Sequence, residues 1–179
     1  MIYHTNFGAP LLGKGAKLHA ALKKITPMNE HAGKSIDTYA TYEGPTRGFI
    51  EQVYLIDPLA DQDGVTGAVL QNAKGNRAAS MQWSTKQLPY LTVWKNTAAV
   101  EDGYVTGIEP ATGYPYNRKV ERAAGRVPKL EPGKTRRFTL DFGLHRGDAA
   151  VKTAIKKIRS LQGTQKIDVQ TKPPAVNNP

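Results

Sequence analysis

Cysteine is absent from this chain of 179 residues, and only four histidines are present. Disulfide bonds and thiolate chemistry are therefore excluded, and a structural zinc site is not expected because such sites use cysteine and histidine ligands. The sequence has no apolar run long enough to cross a membrane. Its first residues, MIYHTNFG, lack the basic and apolar regions of a secretory signal. We expect one cytoplasmic domain without a metal or other cofactor.

Acidic residues are outnumbered by basic ones, and the formal net charge is +10 at pH 7. Such a balance could serve nucleic acid or another anionic surface. The basic residues are spread along the chain, however, without zinc-finger spacing or an aromatic–basic ribonucleoprotein motif. We interpret the charge as a solvated basic surface and expect no nucleic-acid or membrane partner. Nothing in the sequence except the net charge favours a nucleic-acid-binding domain. Pockets for phosphorylated sugars are a second use of Arg and Lys.

Most of the chain has the composition of β-strands separated by turn residues. Strands are predicted at 49–56, 67–72, 78–84, 88–94, 104–109, 126–130 and 136–144. In the last of these, apolar residues from Phe138 to Leu144 recur at every second position, which predicts a half-buried antiparallel strand. Strands at this spacing without intervening helices indicate an antiparallel sandwich or barrel.

One helix is predicted near the C-terminus. Asp148 is a suitable N-cap, Gly163 is a natural stop, and apolar residues recur between them at spacings of three and four. The helix is expected to pack on a sheet, because its apolar stripe has no large aromatic anchor for a membrane surface. Residues 28–48 are polar and aperiodic, which predicts a long loop. A domain of residues 1–163 is expected to be followed by an extended or disordered tail, 164–179.

One carboxylate, that of Glu109, ends a short apolar run and directly precedes Pro110. Proline should stop the strand, and a residue before proline is held in extended geometry, so Glu109 should lie at a fixed boundary between strand and loop. Such positions on a rigid scaffold often carry catalytic or binding groups. A solvent-facing glutamate at a strand end is the alternative interpretation.

His4 differs from the other histidines because it lies in Tyr3-His-Thr-Asn-Phe-Gly8, between aromatic residues and beside an asparagine. A strand here would place His4 and Asn6 on one face, and polar groups beside aromatic surface suit a carbohydrate site. A histidine that is merely exposed near the start of the chain is the alternative. The other three are expected at the surface, with His19 and His31 in irregular segments and His145 at a strand end.

Glu51 occupies an unusual place in a predicted strand. It shares the parity of its apolar neighbours Val53 and Leu55. A charge on the apolar side of a strand requires a partner or a pocket.

Several motifs, taken in order, resemble those of the galactose mutarotase-like proteins, the aldose 1-epimerase superfamily, and within it an uncharacterised bacterial branch described as a domain of unknown function. The resembling segments are 3–8 (the strand with the acid histidine), 49–54 (the segment with a sugar-binding aspartate), 88–96 (the strand before the catalytic glutamate), 107–112 (the Glu-Pro motif) and 130–134 (the turn that follows). The similarity runs from about residue 2 to residue 162 and corresponds to the C-terminal half of the family.

The resemblance implies a mainly all-β fold: part of an antiparallel β-supersandwich of the galactose mutarotase type, with one C-terminal helix. It also implies interconversion of the anomers of a monosaccharide or sugar phosphate. Glu109 would be the base that takes the C1 hydroxyl proton, and His4 the acid that protonates the ring oxygen. Glu51 would bind sugar hydroxyls. The remaining candidates for substrate binding are Asn6, Trp94 or Tyr90, Asn117 and Arg118, although core packing is the favoured interpretation of Trp94.

The chain departs from the family pattern in ways that bear on activity. The family's N-terminal half, which supplies another histidine and an arginine, is not found before His4, and Glu51 replaces the usual aspartate. The sequence after Pro110 also differs. These departures predict a fragment or split product that requires the missing half or self-associates, with impaired activity alone. A non-catalytic carbohydrate-binding or sugar-sensing protein on the same scaffold is the alternative function.

Overall fold

The computed structural model describes residues 1–175, in which two β-sheets dominate. The strands are β1 (Thr5–Phe7), β2 (Lys17–Ala20), β3 (Leu22–Pro27), β4 (Gln52–Pro58), β5 (Val65–Gln71), β6 (Arg77–Ser84), β7 (Tyr90–Asn96), β8 (Val105–Ala111), β9 (Leu140–Arg146) and β10 (Asp168–Val169). The α-helices are α1 (Glu30–Gly33), α2 (Arg118–Ala123) and α3 (Asp148–Gln162), and single 3-10 turns occur at Ile36–Thr38 and Val100–Asp102. Within 1–175, no helix combines the length and apolar character needed to span a membrane.

The two sheets share one hydrophobic core. One sheet has the order β1-β8-β7-β4-β3-β10 and the other the order β2-β5-β6-β9, and all pairings are antiparallel except that of β10 with β3. The alternate residues that meet between the sheets are Tyr54, Ile56, Leu91, Val93 and Ile108 from the first sheet, and Leu18, Leu70, Met81 and Trp83 from the second. The predicted mainly antiparallel β-sandwich is confirmed.

Helix α3 covers the side of the four-stranded sheet that is turned away from the six-stranded sheet, as its periodicity predicts. Its buried residues are Val151, Ala154, Ile155 and Ile158, which pack with Ala21, Val69 and Ala78. The predicted N-cap, Asp148, is wrong by one residue: Gly147 is the N-cap, and Asp148 is the first residue of the helix. Gly147 has a φ of 87°, a backbone conformation that favours glycine.

The predicted strand at 126–130 is wrong. The Arg126 guanidinium donates two hydrogen bonds to the Glu121 carboxylate, at 2.8 and 2.6 Å, and its backbone N–H donates to the Glu121 carbonyl. The segment is thus attached to α2 and not to a sheet.

Strands β2 and β3 were not predicted, because lysines interrupt the apolar pattern of each. As a result, the expected irregular setting of His19 is wrong. His19 lies in β2, is half-buried and shares a 2.9 Å hydrogen bond with Gln71. His31 lies in the short helix α1, within the predicted loop.

Strand β9 is antiparallel, as predicted, but its apolar face is largely uncovered. Phe142 is 60% exposed and Leu144 87% exposed. They lie opposite Met81 and Ala79 and so continue the core face of the sheet. Since β9 is the edge strand, the apolar face extends beyond the part that the six-stranded sheet covers.

The segment after α3 is partly held by the six-stranded sheet. Strand β10 pairs parallel with β3, and the Gln170 N–H donates to the Ile25 carbonyl at 2.9 Å. The end of the predicted tail, 176–179, lies outside the described residues.

Candidate functional site

The face of the six-stranded sheet that points away from the core, which we call the outer face, carries a group of polar side chains. Strand register determines which of them are neighbours. Glu109 of β8 lies opposite Thr92 of β7, which in turn lies opposite Leu55 of β4. In the adjacent row, Gly107 lies opposite Trp94. Because alternate residues share a face, these side chains form one patch.

His4 joins this patch from the segment before β1. The register of Thr5 with Ile108, and the bridge of Ile2 with Ala111, place His4 directly opposite Glu109. The His4 Nε2 atom lies 3.1 Å from the Glu109 Oε1 atom. The His4 Nδ1 atom lies 2.9 Å from the Asn6 Oδ1 atom. The structure thus brings together His4, Asn6 and Glu109, three of the residues that the sequence suggested.

The two partners differ sharply in exposure. The Glu109 side chain is 3% exposed, whereas that of His4 is 51% exposed. Burial raises the pKa of the Glu109 carboxyl group, and the nearby His4 acts in the opposite direction. The alternative of a solvent-facing Glu109 is therefore wrong. The expectation that Pro110 stops the strand is also wrong, since β8 continues through Ala111.

The hydrogen bonds of His4 determine where a proton can lie. With the Asn6 side-chain oxygen as acceptor, Nδ1 carries a hydrogen. In a neutral imidazole Nε2 is then an acceptor, and it faces a carboxylate oxygen that is also an acceptor. The contact is favourable only with a proton on one of the two groups, and the Glu109 Oε1 atom forms no hydrogen bond by geometry with any described residue.

Trp94 and Glu51 extend the patch on the side of His4. The Trp94 indole N–H donates to the Glu51 carboxylate at 2.7 Å. The His4 ring meets the Trp94 ring edge-on, with centroids 5.3 Å apart. Glu51 is exposed and lies just before β4, so the predicted start of this strand at residue 49 and the place of Glu51 on its apolar side are wrong. Trp94 is only half-buried and faces away from the shared core, so the favoured core-packing interpretation is wrong.

Asn117 and Arg118 lie at the start of α2, and both are exposed. The Asn117 side chain caps that helix by accepting the Lys119 N–H at 2.9 Å. Arg118 lines a cavity of about 500 Å³ together with Tyr116. No described hydrogen bond or ion pair within residues 1–175 joins Asn117 or Arg118 to His4 or Glu109.

Two further residues shape the site, and sequence reasoning gave them no role. The buried hydroxyl of Thr92 has no hydrogen-bond partner among the described residues, although it lies next to Glu109 on the outer face. Gly107 leaves space for the Glu109 side chain, since a Cβ atom at 107 would overlap the Glu109 carboxylate. Period-two alternation places Thr92 on the face of Trp94 and Gly107 on the face of Glu109, but the pairing of Thr92 with Glu109 follows only from the strand register.

A second cavity, of about 670 Å³, opens further along the outer face. It is lined in part by Lys24, Asp57 and Tyr90, which form the row next to that of Glu109. Among residues 1–175, no group of three or more His, Asp or Glu side chains is arranged to hold a metal ion.

Comparison with protein families gives a match over most of the chain. Residues 1–144 match the family described as domain of unknown function DUF4432. The chain belongs to the DUF4432 family. No curated protein matches it.

A solved structure shares the fold of this DUF4432 chain. It is the crystal structure of a candidate aldose 1-epimerase from Klebsiella pneumoniae subsp. pneumoniae MGH 78578, with 44% sequence identity and a TM-score of 0.94. The match covers 97% of this chain and 45% of the Klebsiella chain, so the DUF4432 chain spans about half the length of that protein. Both matches support the galactose mutarotase-like superfamily.

Proposed function

We propose that this DUF4432 chain carries the acid–base pair of a carbohydrate-binding, aldose 1-epimerase-like site that interconverts sugar anomers. The observation that carries the proposal is the 3.1 Å contact between His4 Nε2 and the buried carboxylate of Glu109 on the outer face. The 44% identity to a candidate aldose 1-epimerase supports it.

The geometry of the pair suits the chemistry of ring opening. The C1 hydroxyl oxygen and the ring oxygen are bonded to the same carbon, so the base and the acid must lie close together. Glu109 takes the proton of the C1 hydroxyl while protonated His4 gives its proton to the ring oxygen, and the bond between C1 and the ring oxygen breaks. After rotation about C1–C2, the protons return by the reverse path and the ring closes on the other face.

Burial of Glu109 favours its role as base. A desolvated carboxylate holds a proton more strongly than one in water, and the pKa of Glu109 is raised accordingly. This brings the pKa of the base nearer to neutral pH, where proton transfer is efficient. The more exposed His4 can meet a sugar from the solvent side.

The substrate contacts we propose are those of the exposed rim. Glu51, oriented by the Trp94 indole, would accept hydrogen bonds from sugar hydroxyls, and the half-buried Trp94 would offer an apolar surface to the ring. Asn6 would act mainly through His4, whose tautomer it holds. The roles of Asn117 and Arg118 stay a prediction, since Asn117 is engaged as a helix cap.

We further propose that the chain supplies the C-terminal half of a larger sandwich. Its match to 45% of the Klebsiella protein and the uncovered apolar face of β9 both support this. The sandwich would be completed by a second β-rich segment or by self-association of the chain.

Anomer exchange measured by NMR tests the proposal. The assay would use a panel of free and phosphorylated aldoses, with the 179-residue chain alone and grafted in place of the matching part of the Klebsiella protein. Glu109→Gln should reduce the accelerated exchange at least a hundredfold, because general base catalysis typically contributes about 10²–10⁴-fold. Glu101→Gln, an exposed control, should leave it unchanged.

Two outcomes would decide against catalysis. Full acceleration in the Glu109→Gln variant would remove Glu109 from the mechanism. Sugar binding without acceleration in either form of the protein would instead favour the non-catalytic carbohydrate-binding function.

A further inference from the structure

Pro110 lies inside the sheet, next to the residue we propose as base, and its missing N–H affects the opposite strand. The Tyr3 N–H donates to the Pro110 carbonyl at 3.0 Å. In a β-strand the N–H and C=O of one residue point to the same neighbouring strand. The nitrogen of Pro110, which carries no hydrogen, therefore also faces Tyr3.

The register makes Tyr3 and Pro110 directly opposite partners. Thr5 lies opposite Ile108 and Ile2 opposite Ala111, so Tyr3 falls opposite Pro110. In an antiparallel sheet such a hydrogen-bonded pair normally exchanges two bonds. Only one can form here, and the Tyr3 carbonyl is left without its cross-strand donor.

The Tyr3 carbonyl is satisfied locally instead. It accepts the N–H of Thr5 at 2.9 Å, two residues along the chain. A hydrogen bond at this spacing defines a γ-turn, and the residue at its centre is His4. The backbone that carries the imidazole is therefore bent between Tyr3 and the start of β1.

We propose that Pro110 is a positioning residue for His4. By withholding an N–H from the Tyr3 carbonyl, it allows the turn that aims His4 at Glu109. This inference rests on the proposed acid–base function of the pair only for its effect on catalysis, because the effect on the position of His4 can be observed in the protein without any sugar.

The central variant is Pro110→Ala, which restores an N–H opposite the Tyr3 carbonyl. We expect the cross-strand bond to replace the turn and His4 to move away from Glu109. Pro58→Ala is the matched control, because Pro58 is also a strand proline but lies opposite Leu22 in β3. A second variant, Thr5→Pro, removes the donor of the turn while leaving residue 110 and the backbone restriction on Glu109 intact.

The first readout is the titration of the Glu109 side-chain carboxyl, followed by carbon-13 NMR. His4 lowers the pKa of Glu109 in the native arrangement, so displacement of His4 should raise it in Pro110→Ala and in Thr5→Pro. Pro58→Ala should titrate like the wild type. A variant that merely loosened the fold would expose Glu109 and shift its pKa downward, in the opposite direction.

The second readout is anomer exchange. We expect kcat to fall about tenfold in Pro110→Ala while KM changes less than twofold. A tenfold fall in kcat corresponds to a loss of roughly 1.4 kcal/mol of transition-state stabilisation. An unchanged Glu109 titration in both variants would overturn the inference, whether or not the protein is an epimerase. A changed titration with unchanged kcat would overturn the catalytic part alone. A protein without any exchange activity would defeat the proposed function and leave the titration test intact.

Discussion

Glu109 keeps its carboxylate in a space that depends on the absence of a side chain at Gly107. A Cβ atom there would overlap the carboxylate and lie 3.1 Å from its carbon atom. The obstructing group is the end of a side chain that can rotate, so we expect Gly107→Ala to displace the carboxylate more than the backbone. Anomer exchange should fall at least tenfold, with a loss of about 1 kcal/mol or less in unfolding free energy by urea denaturation.

A second glycine provides the control for this variant. Gly13 has nothing within 4 Å of the position that a Cβ atom would take. Gly13→Ala should leave both exchange and stability unchanged. Equal exchange rates in the two alanine variants would show that the space above Gly107 is not required.

The buried Glu109 carboxylate should cost stability at neutral pH. Its pKa in the folded protein is raised by burial above the ordinary 4.5. The folded state therefore holds the proton more tightly, and this stabilisation is complete below pH 4.5 and is lost as the pH rises through the raised pKa. Glu109→Gln should thus be more stable than the wild type at pH 7, by about 1.4 kcal/mol for each unit of the raised pKa.

The measurement is urea denaturation of both proteins at pH 4 and pH 7. The stability difference should vanish at the lower pH, since both side chains are then neutral. A glutamine variant less stable than wild type at pH 7 would mean that the contact with His4 outweighs the cost of desolvation.

At the scale of the element, the exposed apolar side chains of β9 contribute little to the stability of this chain. Phe142 and Leu144 are exposed, whereas their neighbour Met81 on β6 is buried. The double variant Phe142→Thr/Leu144→Thr should change the unfolding free energy by about 0.5 kcal/mol or less. Met81→Ala should cost about 2–5 kcal/mol, as measured by thermal or urea denaturation.

The same double variant tests what covers this face. Sedimentation should show less self-association of the double variant than of the wild type if chains associate through β9, because exposed apolar edge strands promote association. If the double variant loses about as much unfolding free energy as Met81→Ala, the apolar face of β9 is already buried in the isolated protein.

The sequence predicted those elements whose residues alternate clearly or keep a helical period. Helix α3 and strands β5 to β8 lie close to their predicted positions. It did not reveal β2 and β3, where lysines occupy positions at which the side chains reach solvent. Nor did it show that the apolar face of β9 would be left exposed, since burial depends on how far the opposing sheet extends.

At the scale of the whole molecule, one buried cation links the six-stranded sheet to the segment before it. Lys95 donates hydrogen bonds to the carbonyls of Thr38 and Thr41, at 3.2 and 2.8 Å, and burial lowers its pKa from 10.5 to about 8. Because the folded state binds this proton less well than the unfolded state, stability should rise between pH 8 and pH 10.5. The rise from this group should be about 3 kcal/mol.

Comparison with Lys95→Met isolates that contribution. Urea denaturation at pH 7.5, 9 and 10 should show a steeper rise in stability for the wild type than for the variant. Parallel curves would show that Lys95 is charged in the folded state throughout this range.

The candidate site could be predicted only in part, because its contacts depend on how the strands are arranged. His4, Asn6, Glu51 and Glu109 stood out because their residue types and spacing are informative in isolation. The contacts that make them one site depend on strand order. Strand β7, which carries Trp94, pairs with β4 on one side and β8 on the other, and this places Trp94 near both Glu51 and His4. The roles of Thr92 and Gly107 required the register itself.

Strand β1 has only three residues and lies at the edge of its sheet. Short edge strands open in local fluctuations that leave the rest of a domain intact. Hydrogen exchange at Thr5 to Phe7 should therefore be faster than in β7 and β8, and heating should separate His4 from Glu109 before the core melts. Function lost on warming would then be due to the opening of this one strand. It would return on cooling, without any need to refold the protein.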